Sequence, residues 1–155
     1  AIAPTKNMDR MEWFVEKATE IGINAITCLN CRFSERKEIK PIRLEKILVS
    51  AMKQSQKATL PALEGMTDFK KFVATPFDGR KFIAHCEEGE KPLLKHTYQP
   101  GENALILIGP EGDFSPEEIK LAKENGLEPI SLGESRLRTE TAALVACHTI
   151  HVLNQ

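Results

Sequence analysis

Long apolar runs are what this sequence most plainly lacks. No stretch approaches the ~20 consecutive apolar residues that cross a bilayer as a helix, and the N-terminus has no signal-like apolar core. Membrane-spanning and secreted readings fall away, and a cytoplasmic chain is the expectation. An excess of one charge is also missing: 21 Lys and Arg stand against 22 Asp and Glu, for a formal net charge of -1. That excludes a chain-wide polybasic nucleic-acid binder but leaves room for a local patch. Cysteine is sparse, at Cys28, Cys31, Cys86 and Cys147. Cys28 and Cys31 have the CxxC spacing of a redox site or half a zinc site, yet no second CxxC or close Cys/His pair completes a ligand set. His148 and His151, three apart, likewise have no third ligand nearby. Reduced cysteines and no metal are therefore expected. There is no GxGxxG or GxxxxGK[ST] phosphate loop and no GxSxG nucleophile elbow.

What is present suits one compact domain: 155 residues, 41% of them hydrophobic, near the roughly 150 residues typical of a domain. The chain starts at Ala1 rather than at methionine, so a fragment or a processed chain is expected. Asn7 or Asp9 can cap a first helix whose apolar Met11, Phe14, Val15 and Ala18 fall on one face, with Gly22 ending it. Ile23 to Leu29 reads as a buried strand, and Pro41 opens a second helix. Lys81 to Cys86 and Ala104 to Ile108 are further strands, the latter continuously apolar like a central parallel strand. Ser115, Pro116 and Glu118 form a capping box for a helix reaching about Asn125, with Gly126 beyond its end. A short strand over Pro129 to Leu132 and a mostly apolar helix from Thr139 to Leu153 follow. Such a helix is expected to be buried in the core or in a subunit interface. The alternation predicts an α/β fold with a mainly parallel sheet and flanking helices.

Two loops follow predicted strands, Gly109 to Ser115 and Gly133 to Thr141. Ligands of open α/β sheets bind outside the carboxyl ends of the strands, where these loops lie. Glu111 and Asp113 would repel phosphate, so a neutral or cationic ligand suits the loops better, and ordinary turns are the plain alternative. From Arg32 to Lys57 eight basic residues face three acidic ones. Such a segment can track a phosphate backbone or form a solvated helix face.

The stretch Leu107 to Ile119 (LIGPEGDFSPEEI) resembles the IGPEGG(F/L)S signature of the bacterial 16S ribosomal RNA uridine-N3 methyltransferases. Ser131-Leu132-Gly133 with Leu137 to Ala143 is similar to their LG…LRTETA signature. Asp9 to Trp13, Lys17 to Glu20 and Ser34-Glu35-Arg36 match in the same order. The resemblance implies a SPOUT-class fold, with a deep trefoil knot near the C-terminus, S-adenosylmethionine as cofactor and a homodimer as the working form. It also implies that residues 1–155 are a single methyltransferase domain, without the family's N-terminal PUA-like RNA-binding domain. The implied partner is 16S ribosomal RNA or the small ribosomal subunit.

By that resemblance the cofactor residues are Leu107, Ile108, Gly109, Glu111, Gly112, Leu132, Gly133, Leu137, Thr141 and Ala142, with His85 and Glu87 beside them. Arg36 and Arg138 are the catalytic candidates, because a cation would stabilise the uracil anion formed when N3 loses its proton. Arg32, Arg36, Lys37, Lys40 and Lys57 are the RNA-binding candidates. Alternatives are a methyltransferase of the same fold acting on another RNA base or a 2′-hydroxyl, and a non-catalytic RNA-binding or ribosome-assembly module. Three positions depart from the family's pattern. Asp113 stands where it has a glycine, Gly133-Glu134-Ser135-Arg136 replaces an LGPR-like turn, and Gln54-Ser55-Gln56-Lys57 replaces a QSGR-like one.

Overall fold

A computed structural model describes residues 1–155. Five strands, β1 (Ala25–Asn30), β2 (Ala62–Asp68), β3 (Arg80–Ala84), β4 (Ala104–Ile108) and β5 (Glu128–Ile130), are parallel wherever they pair. The hydrogen-bonded groups are β1-β2 and β4-β3-β5. Ile2 joins them, bridging Cys28 on one side and Ile108 on the other. The N–H of Ile2 donates to Thr27 O and that of Ala3 to Ile108 O, at 2.9 and 3.0 Å. The β1-β2 register slips between Thr27 and Cys28, leaving Gly65 as the extra residue of a bulge.

Six helices cover the sheet: α1 (Met8–Ile21), α2 (Pro41–Gln54), α3 (Phe69–Ala74), α4 (Leu94–Thr97), α5 (Pro116–Glu124) and α6 (Thr139–Leu153). The two-residue period of the strands splits the core into two layers. Cys28, Phe82 and Ile108 pack on Met11, Phe14, Leu44 and Ala143 from α1, α2 and α6. Their neighbours Leu29, Ile83 and Leu107 point the other way, onto Phe69 and Val73 of α3 and Ile119 and Ala122 of α5. This is the parallel sheet covered on both faces that the sequence predicts.

The helix starts match their signals. Asn7 Oδ1 accepts the N–H of Asp9 at 2.9 Å, and Gly22 ends α1 in the left-handed region at φ 119°. Ser115 and Glu118 close the capping box of α5. The α6 helix buries only one side within this chain. Only Thr139, Glu140, Ala143 and Ala146 are buried, while Leu144, Val145 and Ile150 are half-buried and Val152 is exposed. The helix packs one side on α1 and β4 and leaves the other open.

Because β5 pairs with β3 and α6 packs beside β4, residues 131–138 cross back over the carboxyl ends of β3 and β4. That crossing sets one wall of the site.

Candidate active site

A cavity of about 1090 Å³ opens at the carboxyl ends of β3, β4 and β5, where an α/β sheet binds its ligands. Four segments wall it: the N-terminal Thr5 to Asn7 with Arg10, the loop from His85 to Lys91, the Gly109 to Asp113 loop, and the Leu132 to Arg138 crossing. Side-chain bonds tie these walls together. The Thr139 hydroxyl donates to Gly109 O at 3.0 Å, joining the start of α6 to the end of β4. The N–H of Cys86 donates to Asp113 Oδ2 at 3.0 Å, joining the β3 and β4 loops. The N–H of Lys6 donates to both Glu111 oxygens at 3.3 Å.

Two glycines of the cavity are there for different reasons. A Cβ on Gly109 would stand 3.1 Å from the Phe114 ring, so the position is closed by protein packing. Gly133 has a φ of 131°, and a Cβ there would meet nothing within 4 Å. Its neighbourhood is the open cavity, and its backbone conformation is one that side chains rarely allow.

Of the cofactor candidates, His85, Ile108, Gly109, Glu111, Leu132, Gly133, Leu137 and Ala142 line the cavity. The other four lie outside its lining. Leu107 is fully buried in the layer beneath, because alternation turns it away from Ile108. Gly112 packs against Phe33, whose Cβ would lie 3.2 Å from an added side chain. Glu87 is exposed; its N–H donates to His85 Nδ1 at 3.2 Å. Thr141 is half-buried on α6.

Arg138 lines the cavity from the N-cap of α6. No carboxylate pairs with it: Glu140 faces Arg10 Nη1 at 3.9 Å, and Glu111 is held by Lys6. Arg36 is not in the lining. It donates through Nε to Thr5 O at 3.0 Å and through Nη2 to Lys6 O at 2.6 Å, fixing the N-terminal wall from behind. Among the RNA candidates, Arg32 and Lys37 border a second cavity next door, Lys40 stands at the N-terminal boundary of α2 without a side-chain cap bond, and Lys57 stands over Gly22 at the end of α1.

Sequence reasoning assigned no site role to Thr5, Lys6, Asn7 or Arg10. Arg10 lies within the Asp9 to Trp13 motif, so a signal was available; the preceding segment carries none beyond its helix cap. Carboxylates of Glu35, Glu111, Asp113, Glu134 and Glu140 balance Lys6, Arg10, Lys91, Arg136 and Arg138 around the cavity. Desolvation by burial holds His85 below its ordinary value, helped by the nearby Lys91 charge and opposed by Asp113. Its Nδ1 accepts the Glu87 N–H, so the neutral ring carries its proton on Nε2. That Nε2 is buried without a partner. No cluster of three His, Cys, Asp or Glu side chains is arranged to hold a metal.

Residues 1–151 match the family model described as an RNA methyltransferase domain. The chain belongs to this RNA methyltransferase domain family. It is 28% identical over 147 residues to the Ribosomal RNA small subunit methyltransferase E of Rickettsia conorii, covering 94% of this chain and 60% of that protein. A crystal structure described as a probable rRNA-methyltransferase from Porphyromonas gingivalis superposes with a TM-score of 0.94 at 48% identity, over 99% of this chain and 66% of that one. The Ribosomal RNA small subunit methyltransferase E of Neisseria gonorrhoeae, solved with S-adenosyl methionine bound, gives 0.87 at 27% identity, over 98% and 64%. The chain thus spans about three fifths of the length of the curated relatives it matches.

Proposed function

We propose that this chain is the catalytic domain of an S-adenosylmethionine-dependent methyltransferase acting on N3 of a uridine in 16S ribosomal RNA. One observation carries the reading. The two glycine-bearing loops that follow β4 and β5 converge on one large cavity, in whose lining carboxylates balance cations, so that no excess of positive charge forms a phosphate cradle. The fit to the cofactor rests on three features of that cavity. Gly133 borders open space where a side chain would begin, the lining carboxylates can face a sulfonium cation, and His85 offers an unpartnered N–H. The relative from Neisseria gonorrhoeae with S-adenosyl methionine bound supports the same choice.

The bound cofactor supplies an electrophilic methyl group. The chain's own task is positioning, the main source of rate in a direct transfer. Arg138, free of a carboxylate partner, stabilises the negative charge that develops on the base as N3 gives up its proton to solvent water. Arg36 acts as a positioning residue, holding the Thr5–Lys6 backbone that forms the opposite wall. The RNA is held partly by a domain outside residues 1–155, in line with the greater length of the relatives. The working form is a homodimer closed over the open side of α6, around Leu144, Val145 and Ile150, because a half-buried apolar stripe favours association. Light scattering giving a dimer mass at micromolar concentration supports this, and a monomer mass removes it.

Mapping the methyl group by mass spectrometry of nucleosides, after reaction with partly assembled small subunits, tests the function. N3-methyluridine is expected. A methyl group on another base or on a 2′-oxygen overturns the acceptor assignment.

A further inference from the structure

Phe33 stands apart from the chemistry described so far. It is an aromatic ring 47% exposed on the loop between β1 and α2, carried on a fixed backbone. Both of its flanks are pinned: the N–H of Arg32 donates to Glu118 Oε2 at 3.0 Å, and Ser34 Oγ accepts the N–H of Cys31 at 3.0 Å. Its Cβ rests on Gly112, in the loop whose Gly109, Pro110 and Glu111 line the large cavity. Two residues further on, Glu35 lines that cavity as well. On its other side Phe33 lines a second cavity of about 890 Å³, together with Arg32 and Lys37. The ring therefore sits on the ridge between the two.

The charges beside it are available. Arg32 pairs with no carboxylate, and Lys37 Nζ donates only to neutral oxygens, Cys31 O at 3.2 Å and Asn30 Oδ1 at 3.4 Å. The basic segment from Arg32 to Lys57 makes one ion pair through its cations, Arg43 with Glu12, so it is not a self-neutralised helix face. The start of α5, which also borders this cavity, is closed to phosphate by its own capping box and by Glu117. Asp68 and Lys70 line the cavity too and together add no net charge to it.

We propose that Phe33 is the stacking platform for the nucleobase adjacent to the modified one, with Arg32 and Lys37 holding the RNA backbone beyond it. The proposal rests on the methyltransferase reading and adds the path of the RNA. A single strand needs a π-face and a line of cations, and the ridge provides both. The platform is independent of base identity, because every base has a face to stack.

The test uses the 155-residue chain at low salt and a single-stranded oligoribonucleotide with 2-aminopurine next to a uridine. Binding to wild type and to Phe33→Trp should quench the 2-aminopurine emission. Phe33→Ala should bind roughly ten-fold more weakly without quenching, and it keeps the Cβ on which Gly112 packs, so cofactor affinity should stay unchanged. Lys37→Ala should retain quenching and lower the salt slope of log affinity by ~0.7. Equal affinity and equal emission for wild type and Phe33→Ala overturn the proposal and point to a protein partner on the ridge. A separate cofactor titration keeps this failure distinct from failure of the methyltransferase reading.

Discussion

Asp113 accepts the backbone N–H of Cys86 at 3.0 Å while its own backbone lies in the left-handed region at φ 67°. The residue that replaces the family's glycine thus accepts conformational strain and gains a strap between two walls of the cavity. A left-handed non-glycine costs roughly 1–2 kcal/mol, and a hydrogen bond of this kind returns about 1 kcal/mol. Asp113→Gly should therefore leave thermal stability within about 1 kcal/mol of wild type and weaken cofactor binding by loosening the His85 to Lys91 loop. Asp113→Ala keeps the strain and loses the strap, so it should be the less stable variant by about 1 kcal/mol. Paired melting curves and calorimetric titrations separate the two effects.

Thiol chemistry should single out Cys86. Burial pushes the thiols of Cys28 and Cys147 up to about 11 and that of Cys31 up to about 12, whereas Cys86 is exposed at the cavity. At pH 8 an aromatic disulfide reagent should label one thiol of four on the folded chain, and peptide mass spectrometry should place it at Cys86. Saturating cofactor should slow the labelling. Rapid modification of Cys28 and Cys31 together would contradict the packed, non-redox environment of that pair.

His85 makes stability depend on pH in a stated direction. Its folded value is lowered from the ordinary 6.5, chiefly by desolvation, with Lys91 and Lys123 lowering it further and Asp113 and Glu87 opposing. A lowered value means that the unfolded chain binds the proton more readily than the folded one. The contribution is complete above about pH 6.5 and is lost as pH falls through the folded value. The difference in melting temperature between wild type and His85→Gln should therefore shrink from pH 7 toward pH 5. A difference that grows on acidification would reverse the assignment.

Much of this fold is legible in the sequence because its signals are chemical and local. Ser115, Pro116 and Glu118 specify the start of α5, and the apolar Ala104 to Ile108 specifies a covered strand. The β2 strand is not legible: Glu64, Gly65 and Asp68 interrupt its pattern, and as an edge strand it keeps side chains half-exposed. Helix α4 has four residues, too few to show a period. Ile2 joins the two parts of the sheet through pairings far along the chain, which no local pattern announces. Within the site, a motif names a loop without saying which way each residue faces. Leu107 and Gly112 stand beside Ile108 and Glu111 in one motif, yet they serve packing against the core and Phe33. Gln56, where the family has glycine, is held at φ 58° at the end of α2, a strain visible only in the backbone.

Arg138 is the residue on which the proposed chemistry turns. It lines the cavity and forms no ion pair with a carboxylate, so removal should cost transition-state stabilisation rather than folding. Arg138→Ala should lower kcat by roughly 100-fold, with cofactor affinity and melting temperature near wild type, and Arg138→Lys should recover part of the rate. An unchanged kcat in Arg138→Ala would remove it from the reaction.

Calorimetric titration of the folded chain with S-adenosylmethionine, run beside Gly133→Val, decides whether the cavity at the ends of β3, β4 and β5 is a cofactor site. The valine variant should fold, since an added Cβ meets nothing beyond its chain neighbours within 4 Å and a side chain held at φ 131° costs on the order of 1–3 kcal/mol. Its branched side chain then takes up space that the open cavity offers beside Gly133. A cofactor site in this cavity predicts one S-adenosylmethionine bound per chain in wild type and no measurable heat in the variant. A folded wild type with neither heat nor thermal shift at saturating cofactor would contradict it, as would a Gly133→Val chain that binds like wild type.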